Sequence, residues 1–108
     1  MIDTPHQGHQ PIAMHRVVEY SGVEKAGDFY WYLPAGSNDR YLAFAVPSKT
    51  ETNPDHYLFQ NLPVQQGQNI SGWCWGWNGN EDKPTLTPSV HAIGHWHGWV
   101  CDGMLIEA

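Results

Sequence analysis

Trp96-His97-Gly98-Trp99-Val100-Cys101-Asp102-Gly103-Met104-Leu105-Ile106-Glu107 is the stretch that decides the fold. Two runs, Trp96 to Cys101 and Met104 to Glu107, flank Asp102-Gly103, a dipeptide that tolerates the positive φ angles of a tight hairpin turn. The rest of the chain repeats the pattern, with short apolar runs cut by turn residues. Met14 to Tyr20 alternates Met14, Arg16, Val18 and Tyr20 against His15, Val17 and Glu19, which predicts a strand with one wetter face. Asp28 to Leu33, stopped by Pro34, and Tyr41 to Val46, stopped by Pro47, predict a hairpin joined through Ala35-Gly36-Ser37-Asn38-Asp39. Ser48 to Asp55 reads as a loop, His56 to Leu62 as a strand or a short helix, and Pro63 to Asn69 as a polar connection.

Ile70 to Trp77 predicts a strand with unequal faces. Trp73, Trp75 and Trp77 project to one side, and Gly72, Cys74 and Gly76 leave the other open to close approach. Asn78 to Pro84 is a turn-rich loop, Thr85 to Pro88 is pinned by prolines, and Ser89 to Ile93 predicts another strand. The expected fold is a single small, mostly β domain of about seven short antiparallel strands, a sandwich or partly open barrel, with at most one short helix.

Composition narrows the function classes. At 108 residues one domain is expected, and eleven Gly and eight Pro argue against a helical bundle. The net charge of −6, with five scattered Lys and Arg, excludes a phosphate-neutralising surface, so no nucleic-acid partner is expected. No run approaches the roughly 18 apolar residues of a membrane span. Residues 1–12, with Pro5, Gly8 and Pro11, read as a flexible arm ahead of a domain over 13–108, and they lack the apolar core of a signal peptide. The expectation is a cytoplasmic protein with Cys74 and Cys101 as reduced thiols.

Chemistry-bearing residues concentrate between Trp73 and Gly103. Ser89 follows Pro88, whose ring stiffens the segment that presents it. A serine hydroxyl becomes a nucleophile when a neighbouring base takes its proton, and His91, His95 and His97 are the candidates. If residues 93–95 form the turn of a hairpin, 91 faces 97 and Ser89 lies diagonal to His97 on one sheet face, whereas a one-residue change would separate them. Asp82, Glu81 or Asp102 could orient the imidazole, and Asn78 could do so or hold an oxyanion. A serine at a strand start is also a common turn or capping residue.

A second chemistry would be zinc. His91, His95, His97 and Cys101 are all odd-numbered and would share one face of a straight strand, although Gly94 and the required turn interrupt it. The tryptophans carry a third reading. Trp75, Trp77, Trp96 and Trp99 could line a groove for an extended peptide, giving a binding module without catalysis, or could be core between two sheets.

Trp75-x-Trp77-Asn78-Gly79, then Pro84-Thr85-x-x-Pro88-Ser89, then Trp96-His97-Gly98 before Asp102-Gly103, resembles a family of small bacterial and phage proteins. Its phage members are often mislabelled ammonia monooxygenase. Its BubE-type members, in bacterial ubiquitin-like conjugation (Bub) operons, are regarded as serine peptidases acting on the C-terminus of the ubiquitin-like protein. The resemblance covers residues 73–105 well and the N-terminal half loosely. It implies Ser89 as nucleophile, His97 as general base, no resident cofactor, and the tail of a ubiquitin-like protein as substrate. Many relatives carry a Cys-Pro-x-Cys-Gly-like knuckle where this chain has Leu33-Pro34-Ala35-Gly36-Ser37, which implies that any zinc held there by relatives is lost and that packing alone holds the segment.

Overall fold

Leu42, Phe44 and Val46 alternate with Ala43 and Ala45 along one strand, and all five are fully buried. A strand closed on both faces needs cover on both, and two different kinds of side chain supply it. The structure, a computed structural model, describes residues 10–48, 57–67 and 74–108. Residues 1–9 of the expected arm, 49–55 of the expected loop, His56 of the ambiguous segment after it, 68–69 of the polar connection and 70–73 of the tryptophan strand, including Trp73, lie outside the described residues.

In chain order the strands are β1 (Ile12–Ala13), β2 (His15–Arg16), β3 (Asp28–Tyr32), β4 (Arg40–Pro47) and β5 (Tyr57–Gln66), then β6 (Trp75–Trp77), β7 (Leu86–Thr87), β8 (Val90–Ala92), β9 (Trp96–Cys101) and β10 (Met104–Glu107). They form a six-stranded sheet ordered β2-β3-β4-β5-β6-β7 and a four-stranded sheet ordered β1-β10-β9-β8. The chain changes sheet between β1 and β2, where the Met14 amide donates to the Gly103 carbonyl, and again at Pro88, whose peptide with Thr87 is cis. No helix among the described residues is long and apolar enough to cross a membrane.

The core lies between the sheets. Phe29, Leu42, Phe44, Val46, Val64, Trp77 and Leu86 from the larger sheet meet Val90, Ala92, Trp96, Val100 and Leu105 from the smaller. Each large side chain so buried is worth about 1.5–3 kcal/mol of transfer free energy. On the outer face of the larger sheet, Tyr30 and Phe59 stand in register with Ala43 and Ala45 and stack at 6.0 Å across them. Tyr32 and Tyr41 continue the stack at 5.5 Å. Small residues on β4 thus let aromatic rings from its neighbours close over it.

The mostly β expectation holds in its two-sheet form, with ten strands among the described residues where about seven were expected, and β9 and β10 run over the residues read from the hairpin signal. Three further details differ. The Met14 to Tyr20 strand shrinks to β2, because the chain pairs with β3 for two residues and then turns through a 3-10 turn at Tyr20–Gly22. The ambiguous His56 to Leu62 segment is strand from Tyr57, and it continues through Pro63 to Gln66 because β4 pairs with it as far as Val64 and β6 pairs with Val64 to Gln66. The pairing is not wholly antiparallel, since β2–β3 and β5–β6 run parallel.

The Leu33 to Ser37 segment closes by hydrogen bonding rather than packing alone. The Ser37 amide donates to the Pro34 carbonyl at 3.0 Å around Gly36, whose φ is +80°, and Ser37 Oγ accepts from the Asp39 amide at 3.0 Å.

Candidate active site

The β8–β9 hairpin turns through Ile93, Gly94 and His95, closed by the His95 amide donating to the Ala92 carbonyl at 2.9 Å with Gly94 at φ +83°. This turn length sets the register, with His91 opposite His97, Val90 opposite Gly98 and Ala92 opposite Trp96. Strand alternation then sends Val90, Ala92, Trp96 and Val100 into the core and leaves His91, His97, Trp99 and Cys101 outside. Ser89, one residue before β8, brings its Oγ to 3.2 Å from His97 Nε2. The diagonal contact expected from a 93–95 turn is therefore the contact observed.

Two supports hold this pair from behind. Trp75, on β6 and half-buried, donates its indole N–H to the Ser89 carbonyl at 3.3 Å and ties the serine to the other sheet. Gly98 lets the Trp96 ring cross directly beneath β9, since a Cβ there would overlap the Ile106 carbonyl and stand 2.7 Å from that ring. Around His97 the His91 ring lies at 4.7 Å and 34°, and the Trp99 ring at 6.3 Å and 30°.

Other sequence candidates are held elsewhere. Asp82 does not reach the imidazole, because its Oδ1 pairs with Arg16 Nη1 at 3.0 Å. Glu81 bridges Arg16 at 3.2 Å and Arg40 at 2.8 Å. The hydrogen bond and charge of Arg40, helped by Arg16, keep the Glu81 carboxyl below the usual carboxylate range. Asp102 sits in the turn, where its amide donates to Thr85 Oγ1 at 2.8 Å. Asn78 organises its own loop, its Oδ1 accepting from the Asn80 and Thr85 amides at 3.1 Å each. Among the described residues the hydrogen bond His97's ring makes is the one to Ser89, so the geometry is that of a dyad.

The zinc set does not assemble. His95 turns away to Ser48, Nδ1 to Oγ 3.2 Å, and Cys101 lies four residues along β9 from His97, about 13 Å at the rise of an extended strand. No three metal-ligating side chains converge among the described residues. Cys74 and Cys101 are both free thiols. Burial, with Asp39 nearby at 3.6 Å, pushes the Cys74 thiol up.

The tryptophan groove loses two of its walls. Trp96 is 3% exposed and Trp77 8%, both packed in the core. Trp77 also donates to the Asn80 carbonyl and lies 4.6 Å from Trp31, with the Arg40 guanidinium over both rings. Trp75 is half-buried against the core, while Trp99, 44% exposed, stands open beside His97. The Arg16–Glu81–Arg40 cluster had no signal in the sequence, because its members lie 65 and 41 positions apart.

Fold and site define a small two-sheet β protein that presents a serine within hydrogen-bond reach of an imidazole on an open sheet face. Residues 55–107, just short of half the chain, match the family described as bacterial ubiquitination-like system serine protease (BubE). The matched segment contains both Ser89 and His97, and it supports the resemblance drawn from the motifs. The family's description points to a serine protease of a bacterial ubiquitination-like system. Comparison with curated proteins and with solved structures gives no match.

Proposed function

We propose that this chain is a serine peptidase that cleaves at the C-terminal tail of a ubiquitin-like protein, with Ser89 as nucleophile and His97 as general base. The observation that carries the reading is the 3.2 Å approach of Ser89 Oγ to His97 Nε2, within the segment matched to the family. With Nε2 unprotonated, the serine hydroxyl donates to it. As Oγ attacks the scissile carbonyl carbon, the proton passes to Nε2.

The tetrahedral intermediate, its oxyanion held by backbone amides beside Ser89, collapses when His97 returns that proton to the leaving amine. This leaves an ester on Ser89. Water, deprotonated by His97, attacks the ester and releases the tail as a carboxylic acid, restoring the Ser89 hydroxyl. The open sheet face suits an extended, flexible tail better than a small enclosed substrate, and Trp99 offers that tail an aromatic surface.

Ser89→Ala and His97→Ala should each lower processing of a ubiquitin-like precursor by at least ~10³-fold. Because His97 is exposed and Ser89 only part-buried, thermal midpoints should hardly move. Undiminished cleavage by Ser89→Ala would overturn the serine mechanism. Peptide affinity without turnover, insensitive to Ser89→Ala and lost in Trp99→Ala, would mark a binding module instead.

A further inference from the structure

We infer that His91 and Trp99 are positioning residues whose rings hold the His97 imidazole toward Ser89, the task a carboxylate performs in a catalytic triad. The inference rests on the serine-peptidase reading above. An exposed histidine on a strand can occupy several staggered rotamers, and only some direct Nε2 at a neighbouring serine. Something must favour the productive one. Of the acids that could do so, Glu81 and Asp82 are engaged with Arg16 and Arg40, Asp102 sits in the turn beyond β9, and His97's ring hydrogen bond among the described residues goes to Ser89 itself.

Two rings touch the imidazole instead. His91 stands directly opposite on β8, with ring centroids 4.7 Å apart and planes 34° from parallel. Trp99, two residues further along the same face of β9, has its ring 6.3 Å away at 30°. Both separations fall in or near the range where aromatic pairs attract. With Ser89 on the diagonal, the imidazole is bounded across the hairpin by His91 and along the strand by Trp99. The exposed His91 side chain makes no hydrogen bond among the described residues, so the ring contact with His97 is what that side chain contributes.

The experiment uses the full chain with His91→Ala, His91→Phe and Trp99→Phe. It reads turnover of a fluorogenic tail peptide, the rate at which a small fluorophosphonate labels Ser89, and the nuclear Overhauser effect between Ser89 Hβ and His97 Hε1. His91→Ala should lower kcat about tenfold, the rate equivalent of one ring pair, with KM within about twofold and the thermal midpoint lowered by no more than a few degrees.

His91→Phe, which keeps a ring, should retain most of kcat and of the Overhauser effect, and Trp99→Phe should retain the Overhauser effect, while His91→Ala weakens that effect. Unchanged kcat and Overhauser effect in His91→Ala would overturn the inference. So would a His91→Phe variant as impaired as His91→Ala, because proton chemistry at position 91 would then be at work. Failure of the wild type to label at Ser89 would count against the peptidase reading alone, and the Overhauser series would still decide whether the rings orient His97.

Discussion

Asp28 is 2% exposed, and its carboxylate accepts from the Glu24 amide at 2.9 Å, the Lys25 amide at 3.3 Å and Lys25 Nζ at 3.2 Å. Burial pushes its pKa up. The amides and the lysine charge outweigh that and hold it below the ordinary value of 3.8. A folded value below the unfolded one stabilises the native state above the unfolded pKa, and that contribution is lost as pH falls through the folded value. Asp28→Asn should therefore cost about 1–3 kcal/mol near pH 7, and the gap in thermal midpoint from wild type should narrow toward pH 3. A gap independent of pH would show that the charge has no part in it. Ser89 and His97 were legible at this scale because strand alternation and turn length are local rules. Asp82 was misread because its partner, Arg16, lies 66 positions away.

The Asp102-Gly103 turn was the most legible element, and its angles explain why. Asp102 has φ +50° and Gly103 φ +73°, the mirror-handed pair that a two-residue hairpin demands. Gly103 also sits where a Cβ would stand 3.0 Å from the backbone and side chain of Lys83, and its amide donates to the Pro84 carbonyl. Gly103→Ala should cost about 2 kcal/mol or more, read as a lower urea midpoint with an unchanged m value. Asp102→Asn should stay within ~0.5 kcal/mol, since asparagine also tolerates positive φ. Elements without such a turn were read less well. β5 ends in Pro63, Gln65 and Gln66, which read as a polar connection, yet pairing with β4 over Tyr57 to Val64 and with β6 over Val64 to Gln66 makes it the longest strand described.

At the scale of the molecule, the segment that carries the chemistry is not an independent unit. The inner face of β8, β9 and β10 is covered by Phe29, Leu42, Phe44 and Val46 from β3 and β4. Arg16 and Arg40, from the N-terminal half, hold the 78–84 loop through Glu81 and Asp82. A fragment of residues 55–108 should therefore show no cooperative thermal transition by circular dichroism, while the full chain does. A cooperative melt of the fragment would refute this dependence. The amino-acid sequence by itself determined the β class and the Trp96 to Glu107 hairpin, and it offered Ser89 beside His97 on the condition that residues 93–95 form the turn. Each of these follows from side-chain alternation and backbone preferences that act over a few residues. Only the tertiary structure decided which tryptophans are core and which stand open, where Asp82 and Asn78 are engaged, and that His91, His95 and Cys101 part company. Burial, ion pairing and sheet order depend on segments far apart in the chain, and no local pattern encodes them.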